Sequence, residues 1–117
     1  MGLKDPEKVK EYKAYVRLIA AEKLKSKNGT FPTRLPVILH LTFYFPIPRS
    51  WSKKRQNAAR SGQIKHTNKP DVDNLVKAIK DALNGLVWHD DSQIVYLFAK
   101  KEYSETPGVA VRFSLVD

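Results

Sequence analysis

The sequence predicts an α+β domain, a small mixed or antiparallel sheet packed by helices. Three observations carry that expectation. Residues 36–45, PVILHLTFYF, alternate apolar and mixed positions with the period of a strand. Residues 72–86 repeat apolar side chains at three-and-four spacing, the period of a helix with one buried face. Two more strand-like runs, 93–101 and 109–115, follow that helix. The order is helix, strand, short helix, helix, strand, strand, which suits a small sheet covered by the first and third helices.

A length of 117 residues suits one domain spanning 1–117. The chain has no cysteine, so disulfides and thiolate zinc sites are excluded, and a reducing cytoplasm fits. No apolar run approaches the roughly 20 residues of a bilayer span. The start, MGLKDPEKVKEYK, lacks the apolar core of a signal peptide. Pro6 stands where a myristoylation signal wants Ser or Thr.

In chain order, Asp5-Pro6-Glu7 is a helix start: a cap, a proline in the first turn, then an acid. Val9, Tyr12, Val16, Ile19 and Ala20, extended by Tyr15 and Leu24, make a core stripe over a helix of about 6–26, and Asn28-Gly29 ends it. In the first strand Val37, Leu39, Leu41, Phe43 and Phe45 share a face, and Pro46 and Pro48 close it. His40 within it reads as a structural or surface residue before a ligand.

Ser50-Trp51-Ser52 opens a short helix of about 51–61, closed by Gly62 and too polar to be interior. Trp51 either anchors it to the core or offers a ring for base stacking. Residues 63–70 read as extended, because Pro70 disfavours helix at Lys69. The long helix begins at Asp71 or Asp73 and stops at Asn84-Gly85. His89-Asp90-Asp91-Ser92 is a turn or strand start. Gln93–Lys101, apolar on both faces, reads as a central strand, and a turn at residues 105–108 suggests a hairpin with the last strand.

Charge is segregated. The net formal charge is +9. Residues 1–69 hold 16 Lys/Arg and 4 Asp/Glu, whereas residues 70–117 hold 5 and 8. Solvated surface charge is one explanation; a polyanion-binding surface beside an acidic site is the other, and segregation favours nucleic acid. The phosphate-contact candidates are Arg49, Lys53, Lys54, Arg55, Arg60, Lys65 and Lys69, a run without an acid, joined by His66 on the approach to the aspartates.

The chemistry concentrates in residues 69–93. Asp71 and Asp73 precede or open the long helix, and Asp90 and Asp91 follow it. Acids at a helix start cap free N–H groups and complement the dipole. They also form a hard-oxygen set suited to Mg²⁺, which takes one or two carboxylates with waters and substrate phosphates. Lys77 lies one turn beyond Asp73. A phosphatase or sugar-nucleotide transferase of the D-x-D kind would place its first acid after an apolar strand, whereas here it follows KHTNKP. A calcium loop fails because Leu75 and Lys77 occupy ligand positions and the required glycine is missing.

The run KPDVDNLVKAIKDALNGLVWHDDSQI resembles the RusA family of Holliday junction resolvases, small dimeric endonucleases common in phages and prophages. The family pattern, D-x-D-N-L-x-K, D-A-L and D-D-x-Q-[IV], is met by Asp71 to Lys77, Asp81 to Leu83 and Asp90 to Ile94. FYFPIPRSWSKK and His66 to Pro70 add to the likeness, which covers about residues 10–115. The resemblance implies that Asp71, Asp73 and Asp91 are the essential carboxylates and Lys77 the essential lysine, with Asp90 a further metal candidate. The expected activity is Mg²⁺-dependent resolution of four-way DNA junctions by paired symmetric nicks, in recombination and repair. The expected protein is a cytoplasmic, nucleoid-associated homodimer. Family members usually begin with a strand and a basic loop before the first helix. This chain starts almost at that helix, so a RusA-like domain without that strand is expected. The alternative is a catalytically silent DNA-junction-binding module.

Overall fold

The structure, a computed structural model, describes residues 6–27 and 29–117. The expected cap at Asp5 and stop at Asn28 lie outside the described residues. The elements are α1 (Pro6–Leu24), β1 (Val37–Pro46), α2 (Lys53–Arg60), α3 (Val72–Leu83), β2 (Ile94–Ser104) and β3 (Gly108–Leu115). Short 3₁₀ turns span Lys25–Lys27 and Asp91–Gln93. The architecture of the described residues is α+β, with one three-stranded mixed sheet and three α-helices.

β1 is the centre of the sheet. Its alternation buries Val37, Leu39, Leu41, Phe43 and Phe45 on one face. α3 lays Leu75, Ile79, Ala82 and Leu83 into the same core, completed by Val87 and Trp88. Val72, expected in that stripe, is 38% exposed at the first turn. Gly85, at φ +80°, turns the chain after α3, a conformation that disfavours any residue with a Cβ.

α1 packs along α3. Lys13 Nζ meets Asp81 Oδ2 at 2.9 Å, and Arg17 donates to the carbonyls of Ala82 and Asn84, both at 3.0 Å. Those two bonds satisfy carbonyls that the end of α3 would leave without partners. The core stripe expected along α1 is only partly buried: Val16 is inside, whereas Tyr15 is 63% and Ile19 41% exposed. The reason is spacing. α1 rests on α3 and stands off from β3, leaving an apolar groove of about 490 Å³ lined by Tyr15, Ile19, Val109 and Phe113.

Two topological expectations are corrected. The strand order is β2-β1-β3, so β2 is an edge and not the centre. No hairpin joins the last two strands, because β2 pairs parallel and β3 antiparallel with β1 between them. The crossing is short but feasible. β1 ends at Pro46, opposite Ser104, so residues 105–107 pass beyond its end. Two strand spacings are about 10 Å, and four extended residues reach about 14 Å.

Candidate active site

Asp73, Lys77, Lys80 and Asp91 line one open depression of about 570 Å³ between α3 and β2. Three elements create it. On α3, positions 73, 76, 77, 80 and 81 fall on one face, since they step by three and four residues. β2 supplies Leu97 and Ala99 as the apolar wall. The third contributor is the 3₁₀ turn after Trp88, which brings Asp91 back beside α3.

That turn is tightly built. Asp90 Oδ2 accepts from the Ser92 N–H at 2.9 Å, and Gln93 Oε1 accepts from the Asp90 N–H at 2.8 Å, a reciprocal capping box. Hydrogen bonds from Ser92 hold the Asp90 carboxyl below the usual carboxylate range. Gln93 Nε2 then donates to the carbonyls of Thr33 and Leu35 at 2.9 and 3.0 Å, fastening the turn to the segment before β1. Within this frame Trp88 is fully buried and donates from Nε1 to Asp91 Oδ1 at 2.8 Å. One oxygen of Asp91 is thereby fixed, and Oδ2 is left for a ligand. The two aspartates thus have different surroundings: Asp90 builds the turn, and Asp91 lines the depression.

The structure brings Asp73, Lys77 and Asp91 together and leaves Asp71 outside the lining. Asp71 is the exposed N-cap of α3, yet its side chain makes no capping bond. Among the described residues no three His, Cys, Asp or Glu side chains gather closely enough to hold a metal ion. The pair Asp73 and Asp91 still presents the oxygen donors that Mg²⁺ accepts when waters complete its shell. Asp73 and Lys77, one turn apart, form no ion pair.

Of the basic residues singled out, Arg49, Lys53, Lys54 and Lys69 are exposed without a charged partner among the described residues. Arg60 pairs with Glu105. The Arg55 guanidinium lies 4.0 Å from the Trp51 ring centroid, and Trp51 meets Tyr103 edge-on at 5.3 Å. Trp51 is therefore an anchor of α2. Lys65 is exposed beside Gly62. His66 is half-buried and stacked on Phe45 at 3.9 Å, and its Nδ1 is buried without a partner. Burial, with the nearby Lys101 ammonium, holds the imidazole below its usual pKa.

Trp88, which fixes Asp91, and Lys101 shape the site and gave little sign in the sequence, whereas Gln93, which fixes the turn, stands in the family pattern. Lys101 Nζ donates to the carbonyls of Asn68 and Pro70 at 2.8 and 3.1 Å, tying the lead-in of α3 to β2. A tryptophan directly after a Gly-Leu-Val run was the available signal for the first.

An α+β domain with an acid-and-lysine depression and a separate run of exposed basic residues has features that suit a nuclease. The chain belongs to the RusA endodeoxyribonuclease family: the family model described as Endodeoxyribonuclease RusA matches residues 2–114. It is 45% identical over 111 residues to the "Uncharacterized protein YqaN" of Bacillus subtilis (strain 168), covering 93% of this chain and 75% of that one. It is 32% identical over 103 residues to the "Crossover junction endodeoxyribonuclease rusA" of Lactococcus phage r1t, covering 84% of this chain and 70% of that one. No solved structure matches it significantly. Among the described residues no helix is long and apolar enough to cross a membrane.

Proposed function

We propose that residues 1–117 act as one RusA-like domain, a Mg²⁺-dependent endonuclease that resolves four-way DNA junctions by paired symmetric nicks. It would work as a cytoplasmic, nucleoid-associated homodimer. The observation that carries this reading is the shared depression of Asp73, Lys77 and Asp91, with the basic run 49–69 leading to it. Family membership and the phage relative's printed name support the substrate.

Asp73 and Asp91 would hold the metal, with Asp71 joining from the adjacent cap position and Asp90 a further candidate. Bound Mg²⁺ supplies Lewis acidity and lowers the pKa of an attacking water. Trp88 keeps Asp91 in one orientation, so the carboxylate meets the ligand without reorganisation. Lys77 would stand against the scissile phosphate and stabilise the negative charge that grows in the transition state. Arg49, Lys53, Lys54, Arg55, Arg60, Lys65, His66 and Lys69 would lie along the junction's strands. Arg60 must first leave Glu105, and His66 supports the surface from beneath. Most of the affinity would then be salt-sensitive.

A two-fold dimer offers two sites to a junction of near two-fold symmetry. β2 supplies a surface for it. Among the described residues β2 is an edge strand, paired with β1 on one side only, with Val95, Tyr96, Leu97 and Phe98 exposed by 55, 70, 47 and 57%. Such an edge favours pairing with a second copy.

The test is cleavage of an immobile four-way junction with Mg²⁺, beside linear duplex of the same arm sequences. The unmodified chain should nick the junction symmetrically and spare the duplex. Asp73→Asn should stop cutting while binding stays the same or tightens, since a negative charge leaves the phosphate site. Tight binding by the unmodified chain with no metal-dependent cutting would select the silent binding module.

A further inference from the structure

Lys80 lines the same depression as Asp73, Lys77 and Asp91. The family pattern quoted above assigns it nothing. We propose that Lys80 is a DNA-binding residue that holds the phosphate next to the one gripped by Lys77. The inference rests on the nuclease reading of this site and adds a second phosphate subsite to it.

Four observations lead there. Lys77 and Lys80 are three apart on α3, so their Cβ atoms lie about 5–6 Å from each other on one face. Like charges at that spacing repel and cost a few tenths of a kcal/mol in a helix, so the pair needs an anion to be favourable. Asp73 and Asp91 share the depression, but among the described residues no carboxylate pairs with either ammonium. Asp81, the neighbouring acid, is engaged by Lys13 at 2.9 Å, and among the described residues Lys80 has neither ion pair nor side-chain hydrogen bond. Lys80 is also half-buried in the lining of the depression.

The geometry suits a single DNA strand. Three helical residues advance 4.5 Å along α3, about the spacing of one strand's charges along its axis, 3.4 Å, given two flexible stems. The bland role for Lys80 is to complement the dipole in the last turn of α3. That role predicts a change in thermal stability. It predicts no change in how junction binding depends on salt.

The experiment measures equilibrium binding of an immobile four-way junction, without divalent metal, at several salt concentrations. It compares the unmodified chain, Lys80→Met, Lys80→Arg and Lys27→Met. Lys27 stands in the 3₁₀ turn at the far end of α1 and has no assigned role. Losing one phosphate contact makes the slope of log K against log salt shallower by about 0.9, which is about fivefold weaker binding at 0.15 M salt. Lys80→Met should show that change, Lys80→Arg should restore the slope, and Lys27→Met should keep it. An unchanged slope in Lys80→Met, or an equal change in Lys27→Met, overturns the proposal. Thermal scans of each variant identify any failure to fold, and Lys80→Arg then carries the decision: a slope short of the unmodified one by a full contact overturns it too. If the unmodified chain binds the junction but never cuts it, the nuclease reading fails while the slope still decides Lys80.

Discussion

Replacing Trp88 with Phe should damage the protein twice, in stability and in the placing of Asp91. Trp88 is the largest fully buried side chain among the described residues, and its Nε1–H is the donor to Asp91 Oδ1 at 2.8 Å. Phe keeps most of the ring volume but loses the donor and the five-membered ring. A hydrogen bond to a charged group contributes about 1.5–3 kcal/mol. Asp91 is half-buried, so water can replace the lost donor, and the low end of about 1.5 kcal/mol applies. The smaller ring adds a further cost of about 1–2 kcal/mol, less than the 3–5 of a full truncation to Ala. The expected total is about 3 kcal/mol, read as a drop in the urea midpoint at unchanged slope.

A double-mutant cycle separates the two parts. Trp88→Phe, Asp91→Ala and the double variant should show a coupling of about 1.5 kcal/mol, because the packing term cancels and only the shared bond remains. Single-turnover junction cleavage by Trp88→Phe, at saturating protein and without denaturant, should fall by about 10- to 100-fold. The misplaced carboxylate is enough for that: a shift of about 1 Å in a reacting constellation costs on the order of 100-fold. A coupling below about 0.3 kcal/mol, within the error of additivity, would refute a fixing role for Trp88. So would full cleavage by a variant that had lost the bond.

Three other outcomes test the fold and its assembly. Ile79→Ala, at a site 0% exposed between α3 and β1, should cost about 3–4 kcal/mol in urea unfolding. Tyr96→Glu with Phe98→Glu should convert a dimer to monomer in sedimentation velocity without lowering the melting temperature of the folded unit; a dimer that persists places the interface elsewhere. His66 has a folded pKa lowered by burial and then by Lys101, so between that value and the unfolded value near 6.5 the unfolded chain binds more protons. Stability contributed by neutral His66 is therefore present above that window and lost as pH falls through it, and thermal scans from pH 8 to pH 5 should be flatter for His66→Phe.

β1 and α3 were legible because each is covered by its own chain. A strand that buries one face through its whole length shows strict alternation, and Val37 to Phe45 does. A helix between a sheet and a second helix shows a wide apolar stripe, and Leu75 to Leu83 does. β2 misled for the complementary reason. Val95 to Phe98 is apolar on both faces, which signals that both faces favour cover, but not what covers them. Reading cover from within the chain produced a central strand and a hairpin; the structure leaves those side chains exposed at an edge. The site divided similarly. Acids and lysine at fixed spacings on α3 were visible, whereas Trp88 acts through one side-chain bond inside an irregular turn and Lys101 through two bonds to backbone some thirty residues away, and no local period records either.

The segregation of charge along the chain acquires a structural meaning from Lys101. The basic run ends at Lys69, the acids begin at Asp71, and the boundary is the segment whose carbonyls at Asn68 and Pro70 both accept from Lys101. Just before it in the chain, His66 stacks on Phe45 and meets Tyr103 edge-on. A cation and an aromatic cluster thus hold the seam between the surface that would attract phosphates and the carboxylates that would attract metal. Keeping the two apart matters, because direct Lys–Asp pairing across the seam would neutralise both. Asp73 and Lys77 form no ion pair with each other, and Asp81, the one acid of that face that is paired, takes its partner from α1. The fold therefore keeps opposite charges within one depression without an ion pair between Asp73 and Lys77, which suits the metal and phosphate that the proposed function would bring there.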